Sequence, residues 1–295
     1  MSFSSDVKKE IASIESDDCC KRAMAYGMLL FSKCFSKDDM YIQTEHKYVA
    51  DAYNKCVKFI IGKEAKITCS PSSKYTVSVP TYEDRMEILH EFGYRGNEIS
   101  FTINENNIEN ECCFGAFIRG VFLVCGIVTD PSKEYHLEFD VSLRSKCTQL
   151  KQAFKRFPVT PKTAQRNGGY ILYFKDSEQI ADILALCGAS TSMMALIGEK
   201  ILKDVRNQVN RKVNCENANL QKVCNAASSQ ISAIRKIYKL KGKEYLPEHL
   251  RQIADLRIEN PEMTLNELGK SLPEPLTRSG VNHRLKKIEQ IANEL

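Results

Sequence analysis

Residues 246–295 carry an apolar spacing and a proline punctuation that few folds can satisfy. After Leu246-Pro247, apolar residues recur at Leu250, Ile253, Ala254 and Leu256, as on one face of a helix. The run breaks at Asn260-Pro261. A short segment, Thr264 to Leu272, leads into the turn Pro273-Glu274-Pro275, and Thr277 to Leu295 closes the chain. There Val281, Leu285, Ile288 and Ala292 again mark one helix face, while Arg278, Ser279, Asn282, His283, Arg284, Lys286 and Lys287 mark the other. A short helix, a tight connection and a longer helix with a basic, amide-bearing face is what a helix-turn-helix DNA reader requires. A plain three-helix bundle with a solvated basic face is the competing reading.

Within the last helix, Thr277 is placed to act as N-cap, leaving free N–H groups where a phosphate would lie. Ser279, Asn282 and His283 are the candidates for base contact. Arg278, Arg284, Lys286 and Lys287 are candidates for backbone or base contact.

Charge extends this surface upstream. Residues 200–243 hold eleven Lys or Arg against Asp204 and Glu216, whereas the segments on either side are each slightly acidic. Concentrated positive charge suits a polyanion. Within it, Arg206 to Asn214 packs four amides and three bases into nine positions. Arg206, Asn207, Asn210 and Arg211 suit phosphate and base-edge contact, and an interdomain segment whose polar groups bond one another is the equal alternative. Lys241 and Lys243, in a basic exit, are added as phosphate contacts.

The order of elements before residue 200 reads as a duplication. Helices are expected over residues 2–15, 19–35, 47–61 and 81–92, with strands at 41–44, 65–69 and 74–79. Small residues in the second helix would let a partner helix approach closely. Helices over 110–126, 143–156 and 177–187, with strands at 135–141 and 169–174, repeat the pattern, giving halves of roughly 18–92 and 110–188. Turns are expected at Ser70-Pro71-Ser72-Ser73 and Arg166-Asn167-Gly168-Gly169. Helices at 194–215, 218–227 and 228–238 follow. The fold class is α+β: domain 1–199, linker helix 200–216, and an all-helical domain 217–295.

Enzyme chemistry finds little footing. Five histidines form no ligand pair, and neither a P-loop nor a dinucleotide-binding glycine motif occurs. His136 and Glu138 share a face of one predicted strand, where a structural role outweighs a hydrolytic dyad. Twelve cysteines include the adjacent pairs Cys19-Cys20 and Cys112-Cys113, but no C-x-x-C or finger-like spacing. Most are expected to be reduced, buried small hydrophobes, with no metal and no cofactor. No signal peptide and no membrane span are expected, so the location read is cytoplasmic.

Several motifs follow one another in fixed order. They are Gly120-Val121-Phe122-Leu123 with Thr129-Asp130-Pro131 and Tyr135-His136-Leu137-Glu138; Val205-Arg206-Asn207 with Asn210-Arg211; and Asn214-Cys215-Glu216 with Ala218-Asn219-Leu220 and Ala226-Ala227. In the last part they are Leu256-Arg257, Glu259-Asn260-Pro261, Glu267-Leu268-Gly269 and Ser279 to Leu285. Together they resemble the WhiA family of bacterial sporulation and cell-division regulators, and the resemblance spans essentially the whole chain. It implies a duplicated LAGLIDADG homing-endonuclease-like domain followed by a sigma-factor-like helix-turn-helix. In such nucleases each central helix ends in an acid that holds catalytic metal. Matched onto this chain, those positions fall on Cys125 and, in the first half, Lys33. Neither is a hard oxygen ligand for Mg²⁺, and Asp38, Asp39 and Asp130 lie beyond the motifs.

The function expected is therefore sequence-specific binding of double-stranded DNA at the nucleoid, regulating transcription with roles in cell division and chromosome segregation, without cleavage. Sigma factor, RNA polymerase or other regulatory proteins are candidate partners. A divergent metal-dependent endonuclease and a protein-interaction scaffold of the division machinery are the alternatives.

Overall fold

The computed structural model describes residues 2–71, 73–166 and 168–295; Ser72 and Asn167, within the two expected turns, lie outside the described residues. The chain divides into two compact units, Met1–Lys203 and Asp204–Leu295.

The first unit is built on two apolar helices, α2 (Asp18–Leu30) and α5 (Glu111–Cys125). Their contact is set by two glycines. A Cβ on Gly27 would fall on the Phe117 carbonyl oxygen and lie 3.1 Å from the Val121 nitrogen; one on Gly120 would fall on the Met24 carbonyl oxygen and lie 2.9 Å from the Met28 nitrogen. The two environments are the same counted from either glycine: the carbonyl three residues before its partner and the amide one residue after. The close approach expected from the small residues of α2 is thus present, and it is two-fold. Tyr26 stacks against Phe92 and Phe117 at centroid distances of 5.0 and 5.6 Å, filling the space beside the crossing.

Each central helix leads into a wholly antiparallel four-stranded sheet of the same plan. Strands β1 (Cys34–Phe35), β2 (Met40–Thr44), β3 (Lys66–Cys69) and β4 (Tyr75–Ser78) lie in the order β1-β2-β4-β3. Their counterparts β5 (Gly126–Val128), β6 (Leu137–Val141), β7 (Lys162–Arg166) and β8 (Gly169–Phe174) lie in the order β5-β6-β8-β7. Helices α3 (Lys47–Ile61) and α4 (Tyr82–Glu91) serve the first sheet, and α6 (Arg144–Ala153) and α7 (Ser177–Leu186) the second.

The duplication is borne out, with corrections. The helix expected to reach Phe35 ends at Leu30, and Cys34–Phe35 pairs with Tyr41 and Met40 instead. Strands β5 and β7 were not expected; β7 is polar and exposed throughout, so no alternation announces it. Of the cysteines, all free, Cys56, Cys113, Cys147 and Cys187 are buried, while Cys19, Cys69, Cys112, Cys215 and Cys224 are exposed. Burial as small hydrophobes accounts for a minority of them.

Helix α1 (Phe3–Ala12) packs beside the central pair, and its Glu10 carboxylate accepts from the Thr191 and Ser192 amides at 2.7 and 3.0 Å. Those amides open α8, a single helix from Ser190 to Lys241 where three helices were expected. The reason is in the composition: no glycine or proline lies between Gly198 and Gly242, so nothing breaks the hydrogen-bond ladder.

Residues 204–241 of α8 and helices α9 (Glu248–Glu259), α10 (Leu265–Lys270) and α11 (Arg278–Asn293) form the second unit. Its core joins Ile234 and Ile237 of α8 to Leu250, Ile253 and Ala254, to Leu268 and Leu272, and to Val281, Leu285, Ile288 and Ala292. The four α11 residues read from spacing are all buried. Among the described residues, no helix is long and apolar enough to cross a membrane.

Candidate nucleic-acid interface

Local chemistry fixes how α11 is presented. Thr264 and Glu267 form a reciprocal capping box that starts α10. Between the two helices the Leu276 amide donates to the Gly269 carbonyl at 3.0 Å, and a side chain on Gly269 would collide with the Leu276 oxygen. The buried Arg257 donates to the Met263 carbonyl at 2.7 Å, pinning the loop after α9. Thr277 is the N-cap of α11: its hydroxyl accepts from the Gly280 amide at 3.3 Å and lies 2.9 Å from the Ser279 hydroxyl.

From this rigid start, Arg278, Ser279, His283, Lys286 and Lys287 are exposed and Asn282 is half-buried. Thr277, Arg278, Ser279 and Asn282, with Leu265 of α10, line an open groove of about 480 Å³. Polar groups converge there with no side-chain ion pair among them. Arg284 departs from this set. It is half-buried on the flank toward α9, and its Nη1 donates to the His249 carbonyl at 3.0 Å. Lys243 is also engaged, 3.7 Å from Asp255 and over the Tyr238 ring. Lys241 is exposed.

In α8, Arg206, Asn207, Asn210 and Arg211 are all exposed, and none makes a side-chain hydrogen bond or ion pair among the described residues. Their polar groups do not bond one another, so the interdomain alternative loses its stated form.

In the first unit, an open cleft of about 600 Å³ lies at the C-terminal ends of α2 and α5. Counting from the glycine crossing corrects the match made from sequence: Ser32, five residues after Gly27, corresponds to Cys125, five after Gly120, and Lys33 is one residue too far. The correction leaves the chemistry unchanged. The Ser32 hydroxyl donates to the Cys34 carbonyl at 2.7 Å, and burial pushes the Cys125 thiol up to about 12. Sequence reasoning missed two lysines, Lys8 and Lys146, that share this cleft with Lys33. Lys8 is pulled down to about 8 by burial, and so is Lys146, which donates to the Leu30 carbonyl. Both are cationic at neutral pH, and Asp140 is the one carboxylate lining the cleft among the described residues. Three lysines, Arg166 and one acid disfavour a divalent cation.

Beside the cleft, Glu138 accepts from Arg166 at 2.7 Å and lies 3.0 Å from His136 Nε2. Burial raises its pKa, but the hydrogen bonds from His136 and Arg166 outweigh that and hold it below the usual range. An ionised carboxylate that accepts from an arginine is a poor general acid.

A family model described as the WhiA C-terminal HTH domain matches residues 209–292, and one described as the WhiA LAGLIDADG-like domain matches residues 114–206. A probable cell division protein WhiA from Caldicellulosiruptor saccharolyticus is 37% identical over 311 residues, covering 100% of this chain and 96% of its own length. Its namesake from Carboxydothermus hydrogenoformans is 37% identical over 308 residues, covering 100% and 98%. The crystal structure of full-length WhiA from Thermotoga maritima matches with a TM-score of 0.62 at 24% identity, covering 100% of this chain and 99% of that one. The fold class and the resemblance read from the motifs are borne out.

Proposed function

The chain belongs to the WhiA family, and from that premise we propose that it is a sequence-specific regulator of transcription that acts on DNA at the nucleoid. Its roles extend to cell division and chromosome segregation, in keeping with the relatives named as probable cell division proteins. The observation that carries the reading is the groove at the start of α11. A capped helix N-terminus presents Arg278, Ser279 and Asn282 together along one open groove. Arginine and asparagine at that place offer bidentate contacts to guanine and adenine edges, and the free amides offer a phosphate site. His283, Lys286 and Lys287 continue the surface. Arg206, Asn207, Asn210, Arg211 and Lys241 supply contacts that add affinity without reading sequence. Arg284 and Lys243 serve mainly to hold the unit together.

The first unit binds or positions without cutting. Cleavage by two metals needs hard anionic ligands at the ends of both central helices, and here those ends carry Ser32 and Cys125, in a cleft also lined by Lys8, Lys33 and Lys146.

Genome-wide mapping of binding sites with the wild-type chain and with the Arg278→Ala/Asn282→Ala double variant tests this reading. Two lost base contacts at about 1–3 kcal/mol each should reduce site preference at least about 30-fold. A double variant that keeps the wild-type sites and occupancy would refute the assignment of α11. Incubating the chain with mapped DNA in Mg²⁺ or Mn²⁺ should yield no cleavage.

A further inference from the structure

We propose that Cys19, Cys20, Cys112 and Cys113 form a tetrathiolate site for one zinc ion, clamping together the N-terminal ends of α2 and α5. In sequence these are two adjacent pairs far apart, with none of the usual ligand spacing. The two-fold arrangement that matches Gly27 to Gly120 also matches Cys19 to Cys112 and Cys20 to Cys113, and so brings four thiols to one place. All four sulfur atoms lie within 4.8 Å of one another.

Their spacing selects the ligand. A zinc–sulfur bond of about 2.3 Å in a regular tetrahedron sets sulfur atoms about 3.8 Å apart. Cys19 and Cys20 are 3.9 Å apart, and Cys112 and Cys113 are 4.0 Å apart. A disulfide needs about 2.05 Å, and between adjacent cysteines it must also close a strained ring through the peptide bond. A four-iron cluster gives each thiolate its own iron and spreads the sulfurs further than one ion does.

The surroundings favour thiolates. The four cysteines occupy the second and third positions of two helices of 13 and 15 residues, where amides without intrahelical partners and the helix dipoles oppose the negative charge. Neither N-cap, Asp17 or Asn110, uses its side chain to satisfy those amides. The Asn110 side-chain amide instead lies 4.0 Å from Cys113 Sγ. Arg119 adds positive charge near Cys20, and its Nη1 is buried without a hydrogen-bond partner. Cys19 and Cys112 are exposed and Cys113 is buried, which gives an ion a route in and a floor to rest on.

Loading is balanced in charge and protons. Four thiols lose four protons to solvent, and the Zn²⁺ ion takes four thiolates to leave a site of net charge −2. Binding therefore weakens as pH falls.

The test uses the full chain, expressed with zinc and purified under reducing conditions without chelator. Elemental analysis should find about one zinc per chain, and exchange for Co²⁺ should give the intense bands of tetrahedral thiolate coordination. The Cys19→Ser/Cys112→Ser variant should hold less than about a tenth of an equivalent, while the control Cys69→Ser/Cys215→Ser, at exposed cysteines outside the cluster, should keep the full amount. Wild-type chain with less than a tenth of an equivalent, iron in place of zinc, or disulfides among these four by mass spectrometry would overturn the proposal. So would retention of zinc by the Cys19/Cys112 variant. Should that variant fail to fold, the zinc content and Co²⁺ spectrum of the wild-type chain decide the matter alone.

Discussion

The cleft at the ends of α2 and α5 and the exposed face of α11 treat their polar groups in opposite ways. In the cleft region, polar side chains are spent internally: Lys146 on the Leu30 carbonyl, Ser32 on the Cys34 carbonyl, Glu138 on Arg166 and His136. On α11, Arg278, His283, Lys286 and Lys287 are exposed and make no side-chain hydrogen bond or ion pair among the described residues. A committed group stabilises one structure, whereas an uncommitted one keeps its hydrogen-bonding capacity for a ligand. The difference separates a unit that spends these groups on its own fold from one that leaves them free.

The comparison can be broken most severely at the crossing. Gly120→Ala places a methyl group on the Met24 carbonyl, which can yield only if the helices part. It should destabilise the first unit by at least about 3 kcal/mol, read by denaturant melts that resolve the two units. The second unit's melt should not move.

Lys146→Met probes the committed cleft. The folded pKa of about 8 lies below the usual 10.5, so burying this charge costs about 3 kcal/mol at low and neutral pH. Allowing about 1.5 kcal/mol for the lost hydrogen bond, the variant should be more stable by about 1–2 kcal/mol at pH 7. Between pH 8 and 10.5 the unfolded wild-type chain binds a proton that the folded one does not, so wild-type stability rises with pH across that window. The advantage of the variant should shrink over the same range, and urea titrations at pH 7, 9 and 10.5 would show it.

On α11, Arg284→Ala sharpens the division between tied and free. It should cost about 1 kcal/mol of stability through the lost bond to His249, while leaving site preference within about threefold of wild type in a competition assay. The smallest effect is expected for Arg206→Ala/Arg211→Ala. Each lost phosphate contact should reduce the slope of log affinity against log salt by about 0.9, with the ratio of specific to non-specific binding unchanged.

Sequence made the helical frame legible because period, caps and breakers are local. Val281, Leu285, Ile288 and Ala292 could be placed in the core from spacing alone, and Gly93 and Gly188, both at φ +83°, mark where α4 and α7 stop. Strand β5 escaped because it follows α5 directly, and β1 because it is only two residues long. The polar groups of the first unit were illegible for a different reason. Lys8 and Lys146 matter only because a cleft forms between them, and the assignment of Lys33 over Ser32 erred by one residue because only the glycine crossing sets the register. Arg284 looked equivalent to Asn282 in a count of polar residues; its partner, the His249 carbonyl, lies 35 residues away.

The reciprocal glycine contact also bears on how the chain is made. Gly27 can complete its packing only against a helix that is translated about 90 residues later, an interval of roughly 5–20 s at common synthesis rates. Until then the first half has two faces of α2 to shield and only one set of its own elements to do it. The first half therefore waits, partly open and exposed to chaperones and proteases, while the second unit closes from pairings close together in the chain.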